Sequence, residues 1–455
     1  MTPRTRSLYR NGLGLGIVLL IGLTTWANAS DWKAEVDAAV QTQIDAERIV
    51  GTVIGVIKDG EIWTRSYGRL RTDDPSPPSL DTIFELGSVT KVFTGLALGQ
   101  LLIDGRLSLD NRIEQHVPEL TGLPSGGITL RELTSHTSGL PRLPTNLVPS
   151  DPLNPYKDYR LPHLIDFLRH FRFAHPGPFA VEYSNLGVGL LGYALSKFYG
   201  ADYDRMIRTL ITNPLEMKDT GTILSASQLQ RTAQGYDSTM EENPLWDMSI
   251  LAGAGSIRAS LQDMLRFLAA NLNPETSSLT SAIQLSHQIQ VSGPEDTLGL
   301  GWFIDGTGDQ TRISHNGQTG GFHSLIAFKP AEKTGLVVLT NTAANIPCLS
   351  HVVFETPCEP KPAEFAHTEP QLQSYLGEYE FEPGFSVKIT RKRLFLVAQM
   401  TNQSRVRLNA LSKERFDYGN GSAEFKFFAD SAGLIYRLIV TQNGTAHTAN
   451  KIDRL

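Results

Sequence analysis

Cysteine is almost missing from this chain: 455 residues contain two, Cys348 and Cys358. So sparse a set excludes a disulfide-built scaffold. With no C-x-x-C and no H-E-x-x-H either, no metal site is legible, and neither metal nor cofactor is expected. The two thiols leave two readings open. They could close one small loop, a bridge worth about 3 kcal/mol in chain entropy, or stay apart as buried thiols. Basic tracts interleaved with aromatics are also lacking, and the formal net charge is −6, which excludes nucleic acid as a partner. Long apolar runs are scarce too. The one at the N-terminus, Leu13 to Leu23, is short and glycine-interrupted for a membrane span.

That N-terminal run has a different pattern. Arg4, Arg6 and Arg10 precede it, and Ala27-Asn28-Ala29 follows as a small-x-small cleavage site. Residues 1–29 are therefore expected to be an export signal, with a retained signal anchor as the alternative. No cysteine near the cleavage point invites a lipid. The mature chain is expected to be periplasmic or secreted, with no stable membrane span after cleavage. It is too long for one ordinary core and suggests a large domain with an accessory one. Nothing in the sequence fixes an oligomeric state.

Residues 30–356 mix helical and strand signals. Val50 to Ile62 around Lys58-Asp59-Gly60 has the pattern of two paired strands and a tight turn. Leu325 to Phe328 and Leu336 to Leu339 flank a turn at Pro330 to Gly335. Strands at both ends with helices between them predict an α/β (α+β) domain whose terminal strands pair in one antiparallel sheet. Pro357, Pro360, Pro362 and Pro370 mark a linker over 357–370. Beyond it, residues 371–455 show short strands such as Ser386 to Ile389, Leu394 to Leu396, Glu424 to Phe428 and Leu434 to Val440. Turn dipeptides Asn420-Gly421 and Asn443-Gly444 accompany them, and the whole predicts a small antiparallel barrel or sandwich.

Three motifs carry chemistry. Ser88-Val89-Thr90-Lys91 opens an apolar helical run, so Lys91 lies about one turn from Ser88 on the same face. Val92, Phe93, Leu96, Leu98, Leu101 and Leu102 would bury that helix side. Desolvation lowers an ammonium's pKa, and a neutral amine can take a serine proton. Tyr183-Ser184-Asn185 precedes a small-residue helical run. A tyrosine can exchange protons there only if nearby positive charge pulls its pKa down from about 10. Asn185 could hold a substrate amide or steady Lys91. Taken singly, this motif better fits a tyrosine packed at a helix start with an N-cap-like asparagine. The third is His315-Asn316-Gly317-Gln318-Thr319-Gly320-Gly321-Phe322, whose glycines admit a close backbone approach at a strand edge. A glycine-rich hairpin with an incidental histidine is the bland alternative.

Together the three resemble the active site of the penicillin-recognising serine hydrolases, with S-x-x-K, Y-x-N and K-T-G or H-x-G in that order. Phe84-Glu85-Leu86-Gly87-Ser88 and Gly317 to Phe322 resemble class C β-lactamases. His136-Thr137-Ser138-Gly139-Leu140-Pro141 and Gly253-Ala254-Gly255-Ser256 resemble DD-carboxypeptidase and esterase relatives. The C-terminal part resembles lipocalin-like modules appended to such hydrolases.

The resemblance implies an acyl-enzyme on Ser88, with Lys91 and Tyr183 sharing the proton work and backbone N–H groups of Ser88 and Gln318 as the oxyanion hole. Asn185 would orient the amide, with His315 polarising Tyr183 or meeting a substrate anion. The substrates implied are β-lactams or peptidoglycan-type D-amino-acyl amides.

One departure stands out: His315-Asn316-Gly317 lacks the lysine and threonine of K-T-G, which favour a substrate carboxylate. D-aminopeptidase and carboxylesterase activities stay open, as does a non-catalytic penicillin-binding sensor. Lys333-Thr334-Gly335 is literal K-T-G text but falls in a predicted turn and reads as a decoy. No G-x-S-x-G occurs, which disfavours an α/β-hydrolase.

Overall fold

The hairpin expected around Lys58-Asp59-Gly60 forms. Strands β1 (Gly51–Lys58) and β2 (Glu61–Gly68) pair antiparallel with Lys58 opposite Glu61. Both turn residues have positive φ, 54° at Asp59 and 78° at Gly60, the two-residue geometry that matches strand twist. The computed structural model describes residues 31–452 apart from 295, 359–364, 393–394, 402–404, 419–422 and 443–444. The expected export signal, Pro360, Pro362, Leu394 and the dipeptides Asn420-Gly421 and Asn443-Gly444 lie outside the described residues.

Six more strands complete the sheet: β3 (Val291–Ser292), β4 (Thr297–Leu298), β5 (Phe303–Asp305), β6 (Arg312–Gln318), β7 (His323–Lys329) and β8 (Thr334–Thr340). Their order is β2-β1-β8-β7-β6-β5-β4-β3. The terminal strands pair as expected, with Thr52 opposite Thr340 and Ile57 opposite Gly335. Every residue of β8 is buried, because helices cover both faces of the sheet. On one face Val36 and Val40 of helix Trp32–Asp45 and Val353 of helix Leu349–Val353 meet Ile54, Val56 and Val338. On the other, helix Leu261–Leu272 and the main core meet Val53, Val337 and Leu339. Lys333-Thr334-Gly335 stands at the β7–β8 turn, at the far end of β7 from the third motif. Cys348 and Cys358 are disulfide-bonded, with Cα atoms 5.6 Å apart, which selects the loop-closing reading.

The S-x-x-K text starts with a single turn of 3₁₀ helix, Gly87–Val89, and continues as an α-helix over Thr90–Ile103. This helix runs through the core, with Lys91 to Gly99 all buried. Gly95 is what admits the neighbouring turn: a Cβ there would lie 2.2 Å from the Leu300 carbonyl oxygen.

Past the disulfide a second unit begins. Glu369 and Pro370, placed in the linker by composition, instead open a helix, Glu369–Ser374, capped by the Thr368 hydroxyl. Eight antiparallel strands follow between Gly377 and Ile452 and close into a barrel, the first pairing with the last through Glu380 and Asn450. Alternation sends Phe425 and Phe427 inward and Lys426 outward. Tyr375, just past the short helix, adds its ring 4.9 Å from that of Phe427 and 5.4 Å from that of Phe416. The barrel is therefore packed with side chains. It rests on the first unit by Lys392 Nζ, which donates to Thr239 O (2.6 Å) and Glu241 Oε1 (3.1 Å). Arg407 Nη1 donates to Ala46 O and Glu47 O.

Gly95→Ala should lower stability by about 1–3 kcal/mol, the usual cost of overpacking. Urea unfolding should show a lower midpoint at an unchanged slope. An unshifted midpoint would mean the Leu300 turn moves away freely.

Candidate active site

The Ser88 turn is held on three sides. Leu86 N donates to Ile257 O (2.9 Å), Ser324 Oγ of β7 donates to Leu86 O (2.7 Å), and Val89 N closes back on Leu86 O (3.2 Å). Gly87 adopts φ +50°, and a Cβ on it would lie 2.7 Å from the Gln318 backbone nitrogen. A Cβ on Gly317 would lie 2.0 Å from Leu86 O and 2.9 Å from Ser88 N. The third motif's glycine therefore exists to let β6 touch the Ser88 turn.

Lys91 lies beneath Ser88, 1 % exposed. Its Nζ is 3.0 Å from Ser88 Oγ, 2.8 Å from Asn185 Oδ1 and 2.8 Å from Ala254 O. Burial drives its pKa well below the ordinary ammonium range, with the nearby Arg142 charge adding to the effect. Ala254 reaches Lys91 because small residues let chains close: a Cβ on Gly192 would meet the Cα of Gly253 at 2.7 Å. Asn185 is not the cap of its helix, Asn185–Tyr199. Ser184 is, its Oγ accepting from Gly187 N at 2.8 Å. The Asn185 amide oxygen is thus free to steady Lys91.

Tyr183 stands among rings, 4.5 Å between centroids from His136, 6.3 Å from Phe303 and 6.5 Å from His315. Lys91 Nζ is 4.8 Å and the Arg142 guanidinium 5.1 Å from its ring centre. The expected lowering of its pKa does not occur. Burial raises it to about 12, outweighing the opposing effects of its Ser88 hydrogen bond and the Arg142 charge. Resting Tyr183 is a protonated phenol.

His315 departs from expectation as well. It is 2 % exposed, its Nδ1 lies 2.5 Å from the Asn316 carbonyl oxygen, and burial with nearby Lys91 pushes its pKa down to about 3. Held neutral, it cannot meet a substrate anion as a cation; it keeps only its place beside Tyr183 and Phe303. Asn316 does not share its direction, because alternation along β6 exposes Asn316 and buries His315 and Gly317.

Gln318 ends β6. Thr319 N donates to Phe322 O, so 319–322 is a hydrogen-bonded pair and the adjacent 318–323 pair is not. The Gln318 N–H therefore points away from β7. Strand β5 meets β6 only over Arg312 to Ser314, so among the described residues that outer edge of β6 has no strand partner beside the Ser88 turn. The structure thus brings Ser88, Lys91, Tyr183, Asn185, His315, Gly317 and Gln318 into one cleft.

Three supporting groups carry no sequence pattern of their own. His136, with φ 59°, accepts from Ser184 N through Nδ1 (3.1 Å) and braces the Tyr183 loop; burial lowers its pKa to about 3. Glu85 is buried opposite Arg258 on a neighbouring strand. Its Oε1 accepts from Arg258 Nη2 (3.1 Å) and Trp246 N (2.8 Å), and burial raises its pKa. The Ala254 carbonyl is the third. The quoted segments around Ser88, His136 and Gly253 were the available signal, but text alone did not assign these roles. Among the described residues no group of three His, Cys, Asp or Glu side chains could hold a metal, and no helix is long and apolar enough to cross a membrane.

Known proteins resemble this chain in sequence and in fold. A β-lactamase of Pseudomonas fluorescens is 26% identical over 346 residues, 69% of this chain and 94% of the relative. The Staphylococcus aureus (strain MW2) protein flp is 27% identical over 327 residues, 69% of this chain and 64% of its own. A class C β-lactamase structure from Rhodobacter sphaeroides superposes with a TM-score of 0.62 at 28% identity, covering 70% of this chain and 96% of that one. A β-lactamase/D-alanine carboxypeptidase from Pseudomonas syringae shares the fold at TM-score 0.64 and 22% identity, covering 72% of this chain and 99% of that one. The family profile described as Beta-lactamase matches residues 36–349, more than half of the sequence, and the chain belongs to that family.

Proposed function

We propose that this chain is an exported serine hydrolase that forms an acyl-enzyme on Ser88, acting on D-amino-acyl amides or β-lactams. The contact set of Lys91 carries the reading. A neutral amine has two hydrogens and one lone pair. Two of its three neighbours, Asn185 Oδ1 and Ala254 O, accept only, so they take the hydrogens. The lone pair then faces the third, the Ser88 hydroxyl at 3.0 Å, poised to take its proton.

Attack by Ser88 Oγ on a carbonyl carbon places the developing oxyanion between the N–H groups of Ser88 and Gln318. Tyr183, protonated at rest, gives its proton to the departing group and regains one from Lys91. The serine proton thus ends on the leaving group. Water attack on the ester reverses these roles. Asn185 keeps its Nδ2 hydrogens for a substrate amide. One observation favours a second reading, an esterase of the same fold: β6 offers a neutral His315 in place of a lysine, so no charge at that position selects a carboxylate.

Mass spectrometry after incubation with a fluorescent penicillin, a D-Ala-D-Ala peptide and a short-chain nitrophenyl ester separates these readings. A Ser88 adduct with turnover of the first two supports the amidase, and turnover of the ester alone supports the esterase. Stable penicillin acylation without turnover would indicate a sensor. Ser88→Ala should lose all covalent labelling, and residual activity in the folded variant would exclude this nucleophile. Tyr183→Phe should slow turnover about 10²–10⁴-fold; normal rates would leave both proton transfers to Lys91. Gly317→Ala should cut kcat/KM while the fold survives, because its Cβ displaces the Ser88 turn from Gln318; unchanged kinetics would show that the two donors act independently.

The pH dependence follows from the two depressed bases. Protonated Lys91 is inactive, so rates rise with pH and level off below the ordinary lysine range. His315 has shed its proton above about 3. Anionic and neutral substrates should therefore give parallel profiles between about pH 5 and 8. A fall confined to the anionic substrate would return the cation to His315.

A further inference from the structure

The cleft contains one basic side chain that the mechanism above leaves unused. Arg142 is exposed, and its guanidinium lies 5.1 Å from the centre of the Tyr183 ring. Among the described residues no carboxylate or other acceptor takes its guanidinium hydrogens. Its backbone is anchored, the carbonyl accepting from Asn185 N (3.1 Å) and Leu186 N (3.2 Å). The side chain therefore projects from the Asn185 side of the site, not from β6. Its charge acts on Lys91, Tyr183, His136 and Tyr156, which places it at the centre of this cleft wall.

The other basic groups of the site, Lys91, His136 and His315, are buried. Among the described residues of this site, a substrate anion thus meets Arg142 as the solvent-facing cation, a planar fork of donors suited to a carboxylate. We propose that Arg142 is the carboxylate receptor of this site, and that the preferred substrate carries its anionic group on the acyl portion, beyond the amide that faces Asn185. The inference rests on the acyl-enzyme reading. It makes Arg142 a specificity residue, with acidic acyl groups favoured over neutral ones of equal length.

The test is a ratio of kcat/KM values for the nitrophenyl monoester of glutaric acid and for nitrophenyl pentanoate. Any general loss through Tyr183 cancels in that ratio. Wild type should prefer the glutarate ester. Arg142→Gln should reduce the ratio about 10- to 100-fold, the range of a charge-assisted hydrogen bond. Arg142→Lys should retain part of it. As a control, the pentanoyl ester of 3-hydroxybenzoate carries its carboxylate on the leaving group, and its rate relative to the neutral ester should not follow Arg142. An unchanged ratio in Arg142→Gln, or an equal loss with the control ester, overturns the inference while ester turnover leaves the hydrolase reading intact. If wild type forms no Ser88 adduct with any ester or penicillin, the hydrolase reading falls and takes this inference with it.

Discussion

The burial of one amine organises the β-lactamase-family unit of this chain. Lys91 is embedded in a helix that the core surrounds, and an ionised lysine there would carry a large desolvation cost. The fold meets this with two acceptors for the amine and a serine on its third side. Each acceptor comes from a different part of the chain, Asn185 from the start of one helix and Ala254 from a glycine-rich turn. The packing of Gly192 on Gly253 and the Ser184 cap place those groups around Lys91.

Against that buried amine the sheet supplies a second constraint, contact without side chains. Strand β6 reaches the Ser88 turn only because Gly317 and Gly87 present no Cβ where the chains meet. The same closeness brings a free backbone N–H at Gln318 beside that of Ser88. The buried Glu85–Arg258 pair ties the strand leading into Ser88 to its neighbour, and Trp246 N shares the same carboxylate oxygen. Breaking such a pair on one side leaves an uncompensated buried charge, so it specifies the local arrangement more than it adds stability.

Local grammar was legible in the sequence, and environment was not. Helix spacing placed Lys91 one turn from Ser88, and the turn chemistry of Asp59-Gly60 and of Pro330 to Gly335 set both hairpins, so the terminal pairing of β1 with β8 followed. Whether a titratable side chain is charged depends on what surrounds it in space. His315, expected either to polarise Tyr183 or to meet a substrate anion, is neutral because strand alternation turns it inward, beside Lys91. Tyr183 reads as an acidified phenol, yet desolvation exceeds the pull of Arg142. The cross-strand partner of Glu85 lies far along the chain, and the carbonyl of Ala254 has no signature in any side chain. Composition also blurred the end of the linker, where Pro370 suits the first turn of a helix as well as it suits a loop.

The barrel's aromatic filling has a mechanical consequence. Tyr375, Phe416 and Phe427 pack ring against ring in its interior, so it meets the first unit as a filled body. Whatever it conveys to the catalytic unit passes through its footing. One foot, Arg407, is nine-tenths buried and grips main-chain carbonyls, a joint that ions in solution scarcely reach. The other, Lys392 on Glu241, is half open to solvent and weakens as the Debye length shrinks. These attachments differ in kind: the Arg407 contact is enclosed, whereas Glu241 meets both Lys392 and Arg405 where salt can screen the pairs, so ionic strength acts on the barrel's footing at the Thr239–Glu241 turn more than at Arg407.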